Sequence, residues 1–204
     1  MSKQVRRFAL LAAAAWIVNG AAFAQQSGTA RGSQTGQTTK GTTSAGGLVA
    51  GDQAFVKEAA GGGLMEVELG RLATEKASSP EVKQFGQRMV DDHTKMNQEL
   101  STIALQNNVQ LPTELTGKAK AEYDRLSKLS GEQFDHAYMQ LMVRDHRKDV
   151  SDFRKESTGA KDTELKSFAS QTLPTLEDHL KLAEQTQSSL SGARATSGKT
   201  PPQK

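Results

Sequence analysis

The 204-residue chain contains no cysteine. That excludes disulfides and anchoring through a lipidated cysteine, so the fold must be stable without staples. Charge of one sign is also missing. The 26 Lys and Arg less Lys3, Arg6 and Arg7 leave 23, against 23 Asp and Glu. The body of the chain is therefore near neutral and lacks the clustered basic excess of a nucleic-acid footprint. Beyond the N-terminus there is no apolar run long enough to span a bilayer, and no alternating stretches of the kind that build a barrel. Period-two alternation is absent at any useful length, so strands are not expected. Nothing resembles a strand–turn–helix nucleophile elbow. The Gly61–Gly63 run lacks the Gly-Lys-Ser/Thr ending of a phosphate loop. The sequence offers no catalytic set.

Lys3, Arg6 and Arg7, an apolar run from Phe8 to Val18 and Ala22-Phe23-Ala24 have the three parts of a secretory signal peptide, with cleavage expected after Ala24. Periplasmic or secreted placement follows as an expectation. Residues 25–51 are a Gly/Ser/Thr/Gln leader and 188–204 a tail of similar character, both expected to be disordered and available for peripheral contact with the envelope. The span 52–187 is the size of one domain.

Within it the apolar residues recur at three and four. A first helix opening at Asp52 carries Phe55, Ala59, Gly62, Glu66, Leu69 and Ala73 on its stripe, and its glycine run demands close helix approach or a break. Ser79, Pro80 and Glu81 start a second helix, running to about Gln106, with stripe Val82, Phe85, Met89, His93, Met96, Leu100 and Ile103. A shorter helix is expected over 114–129. Ser130 and Gln133 form a capping box for the next long helix, whose face holds Phe134, Tyr138, Met139, Leu141, Met142, His146, Val150 and Phe153. A last helix from about Asp162 carries Leu165, Phe168, Thr172, Thr175, His179 and Ala183, with Pro174 expected to kink or split it. Two short turns flanking a crossover of about 23 residues predict an all-α, ferritin-like four-helix bundle with an extra short helix in the crossover, the second and third long helices running parallel.

One phrase occurs twice. Met89-Val90-Asp91-Asp92-His93-Thr94-Lys95 returns as Met142-Val143-Arg144-Asp145-His146-Arg147-Lys148, identical at five of seven positions. Counting residues from the turns places Glu66, His93 and His146 in one layer, with Asp92 and Asp145 beside the rings as groups that would orient them. Counting from Gly159 sets His179 seven residues beyond that layer, roughly 10 Å away, near Phe85 and Tyr138, with Asp135 as its partner; His136 falls on the solvated side. Two readings of the layer follow. It is a buried polar network that fixes register in a non-enzymatic structural or stress-related protein, or it is a transition-metal site built from Glu66, His93 and His146. The Glu-x-x-His of a di-iron bundle is missing, since Val90 and Val143 stand where its glutamates would be. Met89 and Met142, one turn before the histidines, make copper(I) one version of the metal reading.

The segments at 62–70, 82–93, 129–138, 142–146 and 172–180, among them Gly-Gly-Leu-Met-Glu-Val-Glu-Leu-Gly and Thr-Leu-Pro-Thr-Leu-Glu-Asp-His-Leu, resemble domain-of-unknown-function family 4142. The resemblance spans about 52–187. It implies an exported bacterial protein with a ferritin-like helical bundle, and it implies no established activity or catalytic residue.

Overall fold

The computed structural model describes residues 47–197, and side chains through residue 192. The expected signal peptide, most of the expected leader and the end of the expected tail lie outside the described residues. Among the described residues every regular element is helical: α1 Ala50–Lys76, α2 Pro80–Gln106, α3 Gly117–Leu126, α4 Gly131–Gly159 and α5 Thr163–Ser197. Helix α5 thus runs past residue 187. No described helix is long and apolar enough to cross a membrane.

Local chemistry sets most of these bounds. Ser79 accepts the Val82 N–H at 3.3 Å, Pro80 occupies the first turn and Glu81 follows it, as the capping signal required. Asp162 accepts the Leu165 N–H at 2.8 Å and caps α5 the same way. Other starts differ from expectation. Helix α1 is capped by Val49 with no side-chain bond, and Ser130 closes no capping box. Helix α3 is shorter at both ends than 114–129. Pro174 lies within α5, which is not split there.

The freed Asp52 does other work. Its Oδ2, buried on α1, accepts the backbone N–H groups of Lys161 and Asp162 at 3.0 and 2.9 Å, in the turn between α4 and α5. Asp135, buried on α4, does the same for the turn between α1 and α2: it accepts Ser78 N–H, Ser79 N–H and the Ser78 hydroxyl at 3.1, 2.9 and 2.5 Å. Each helical hairpin therefore ties off the turn of the other, and Asp135 is not a partner of His179. These contacts also fix topology. The start of α1 meets the end of α4 and the end of α1 meets the start of α4, so the two are antiparallel. Because α2 reverses on α1, α2 and α4 run parallel, with α3 in the crossover packed over α1 and α4.

The predicted stripes of α2 and α4 are buried, with Met96 only half-buried. On α1 the first half of the stripe is centred one residue later: Val56, Ala60 and Gly63 are buried, while Phe55 and Ala59 are half-buried against the core, Phe55 with its ring centroid 5.0 Å from that of Phe153. The helix is continuous through its glycines. A Cβ on Gly63 would lie 2.3 Å from Asn97 Oδ1, so α2 does approach closely there. Further along, a Cβ on Gly86 would lie 2.7 Å from the Ala73 Cβ and 2.8 Å from the Gly70 carbonyl oxygen. Neither neighbour is a flexible side-chain end, so Gly86→Val should destabilise the fold by about 1–3 kcal/mol in a urea melt. A melt unchanged by this substitution would refute the tight crossing.

The interior is divided. One apolar cluster, with Leu69, Phe85, Met89, Phe134, Tyr138 and Met142, fills the end near the α1–α2 turn. A second, with Val56, Leu100, Ile103, Phe153, Phe168 and Leu176, fills the other end. The polar layer lies between them.

Candidate metal centre

Glu66 on α1, His93 on α2 and His146 on α4 do lie together, at 2%, 3% and 0% exposure. Glu66 Oε2 is 3.0 Å from His93 Nδ1, and Oε1 is 3.4 Å from His146 Nδ1. His179 on α5 joins them, contrary to the depth count. Its ring centroid is 5.3 Å from those of both His93 and His146, which are 5.6 Å from each other. The count failed because it measured the second hairpin from Gly159, the end of α4, but the first from Ser79, the cap of α2. With Asp162, the matching cap of α5, as origin, His146 is 16 residues before and His179 17 after, just as Glu66 and His93 are 13 and 14 from Ser79. The remaining offset closes because side chains lean toward their own N-terminus, which in an antiparallel pair tilts the two toward each other.

Each ring has one nitrogen held and one free. His146 Nδ1 is 3.0 Å from the Met142 carbonyl oxygen, which can only accept, so Nδ1 carries the hydrogen and Nε2 the lone pair. Nδ1 has a single hydrogen to give, which leaves Glu66 Oε1 without a partner. His93 Nδ1 donates to Glu66 Oε2. His179 Nε2 donates to Asp92 Oδ2 at 2.9 Å, and Arg88 Nε donates to the same oxygen at 3.2 Å. The free nitrogens are His93 Nε2, His146 Nε2 and His179 Nδ1, all buried and without a partner. The three residues offer ligand atoms within 4.8 Å of one another.

Electrostatics keep those lone pairs open. Burial lowers the His93 pKa to about 4 and that of His179 to about 3, the latter against the pull of Asp92. Burial also lowers that of His146, against the opposing effect of Glu66. The imidazoles are neutral at pH 7, the form that binds metal. Burial tends to raise the Asp92 pKa, but the bonds from His179 and Arg88 hold it below its usual value, so the group orienting His179 is a carboxylate.

Asp149, which sequence reading missed, stands beside Glu66. Burial raises the Glu66 pKa to about 7, partly offset by His146, and burial together with the Glu66 charge lifts Asp149 well above its ordinary value. In this layer it is the Glu66–Asp149 pair, not the rings, that holds a proton, and Glu66 Oε2 stays free to accept from His93. Glu66, His146 and Asp149 form a second group with ligand atoms within 4.8 Å of one another. The available signal was spacing: Asp149 is three residues after His146 on one helical face, the reverse order of the motif sought. Of the aspartates expected beside the rings, Asp92 orients His179 rather than His93, and Asp145 pairs with Arg144 at 3.4 Å. Met89 and Met142 are core residues, while Met96 borders the small cavity that reaches His93.

Sequence comparison places this geometry in a family. A profile described as "Domain of unknown function (DUF4142)" matches residues 37–186. The chain belongs to the DUF4142 family. Among curated proteins none matches the sequence. Solved structures share the fold of this DUF4142 domain at low identity. A DUF305 fragment from Deinococcus radiodurans has a TM-score of 0.62 at 15% identity, over 70% of this chain and 98% of its own. CopM in its Cu(II)-bound form has a TM-score of 0.58 at 17% identity, over 68% and 96%; in its Cu(I)-bound form the values are 0.56, 18%, 66% and 93%. At such identities the likeness concerns the fold of the DUF4142 domain alone.

Proposed function

We propose that this protein is an exported metal-binding bundle that holds one late first-row transition metal, copper foremost, through His93, His146 and His179. The observation that carries the reading is the set of three buried imidazole nitrogens with lone pairs and no hydrogen-bond donor. A network built only to fix register would pair those atoms, because an unpaired buried polar group costs about 1–3 kcal/mol. Three neutral imidazoles suit Cu(I), Cu(II) and Zn(II). Bonds of about 2.0–2.1 Å need donors roughly 3.3 Å apart in tetrahedral geometry, a modest contraction from the present spacing. The remaining ring nitrogens are held by Glu66, the Met142 carbonyl and Asp92, the kind of outer support that fixes ring orientation around a bound metal. When bound, the metal would supply a redox-active or Lewis-acidic centre. The chain's own residues supply neutral donors, fixed tautomers and a buried setting. The fold shared with a copper-bound protein and the signal-like N-terminus support copper and export respectively.

Glu66, expected as a ligand from the sequence, is in this reading the group that orients His93. The test is a titration of the purified full chain with Cu(II) and Zn(II), followed by thermal melting. One equivalent should bind, and metal at 100 times its Kd should add about 2.7 kcal/mol, raising Tm by roughly 5–10 °C, with reversal by chelator. Absence of stoichiometric binding by either ion would return the layer to a structural role. Mass measurement of the exported protein, with a start at Gln25, tests the signal.

A further inference from the structure

Resting on that metal-binding reading, we propose that the ion reaches the triad through the pocket between α1, α3 and α4, where Glu66 and Asp149 receive it and pass it inward. Two spaces meet at these residues. The outer pocket has a volume of about 250 Å3 and is bordered by Gly61, Gly62, Lys118, Glu122, Glu66 and Asp149, among others. The inner cavity has a volume of about 20 Å3 and reaches His93. Glu66 and Asp149 line both, and no other residue does. They are the partition.

The sizes indicate what happens there. One water needs about 10–15 Å3 of such space, so the inner cavity holds about one water and the outer pocket has room for a cation with its shell of six. The hydrated cation fits the outer pocket and not the inner one, so water must be exchanged for protein oxygen at the partition. Glu66 can do this without releasing His93: Oε2 holds the ring, and Oε1 is buried beside Asp149 with no N–H donor bound to it. An arriving divalent ion displaces the proton held by this carboxyl pair, carboxylate oxygen replaces its water, and imidazole then competes well for copper or zinc.

The glycines gain a reason from this placement. Close helix approach explains Gly63, but a Cβ at Gly62 would meet nothing within 4 Å and one at Gly61 only Pro112 Cγ at 3.7 Å. Packing does not demand either, and each costs the helix about 1 kcal/mol relative to alanine. Both lie on the wall of the pocket, where a side chain would obstruct it. A rival approach exists on the α2–α5 side, a pocket of about 260 Å3 bordered by Asp92, Met96 and Thr175. It shares only Met96 with the inner cavity. It meets the histidine layer at Asp92, which faces the nitrogen of His179 that is already engaged.

The experiment is stopped-flow binding of Cu(II) to the full chain, read by copper absorption, with equilibrium Kd measured on the same samples. Gly62→Phe should slow association at least tenfold and slow dissociation in proportion, leaving Kd within about threefold. Asp149→Asn, which leaves the pocket open, should also slow association. Thr175→Phe should leave the rate unchanged. Unaltered rates in both Gly62→Phe and Asp149→Asn, or a slow Thr175→Phe protein, would overturn the route while leaving the metal site standing. Wild-type protein that binds no Cu(II) would instead overturn the site itself, and the route with it.

Discussion

His179→Ala should reduce copper affinity by more than about 100-fold. Substituting a group that merely orients a ligand already costs 10- to 100-fold, and His179 is one of three rings with a free buried nitrogen. The variant should fold, because the site lies between two apolar clusters that hold the helices independently of it. Asp92→Ala is the graded companion: it removes the carboxylate at 2.9 Å from His179 Nε2 without removing a donor, and should cost 10- to 100-fold. The order of the two is informative. A ring that served only to satisfy Asp92 would leave metal affinity unchanged in both variants. His146→Ala and His93→Ala should match His179→Ala, and Glu66→Ala should resemble Asp92→Ala if Glu66 orients His93 rather than binding the ion. Competition against a chromophoric chelator measures all five.

Asp135→Ala should destabilise the fold by about 3 kcal/mol, as much as truncating a large core side chain. The carboxylate is 1% exposed and accepts from two backbone amides and a hydroxyl in the α1–α2 turn. Hydrogen bonds to charged groups contribute roughly 1.5–3 kcal/mol each, and the abandoned amides would be left partly buried without partners. The sum is not additive, since the turn can loosen toward water. Tm should fall by roughly 6–12 °C. Asp52→Ala, which removes two amide bonds in the opposite turn, should cost less. Denaturation of both variants checks the ranking, and equal or negligible effects would show that the turns hold without their distant caps.

The parts of this fold that were legible in the sequence are those set by neighbours along the chain. Ser79, Pro80 and Glu81 define the start of α2 within one turn, and its stripe follows at helical period through His93. The off-by-one error on α1 has an equally local cause: Phe55 and Val56 are both apolar, and three glycines erase the period that would have chosen between them. Parallel placement of α2 and α4 followed from crossover length. The Glu66, His93 and His146 layer was legible because Ser79 is a true cap and gives a sound origin. His179 was lost because Gly159 is not one, and an origin displaced by three residues displaces the opposing helix by twice that. Asp149 falls outside the di-iron pattern because it stands three residues after the histidine, where that pattern has its carboxylate three before. The ring tautomers lay beyond sequence reasoning, since they depend on the Met142 carbonyl and on Asp92 reaching His179 across 87 positions.

The division of labour between the hairpins has a further consequence. Glu66 and His93 come from one, His146 and His179 from the other, and Asp52 and Asp135 each reach across to the turn they secure. Neither half of the chain encodes a complete centre, and neither finishes its own turn. In the proposed metal-binding reading, copper affinity is a gauge of how well the two halves are docked. Any strain, partner or truncation that slides one hairpin along the other would be registered as lost metal before it was registered as lost helix.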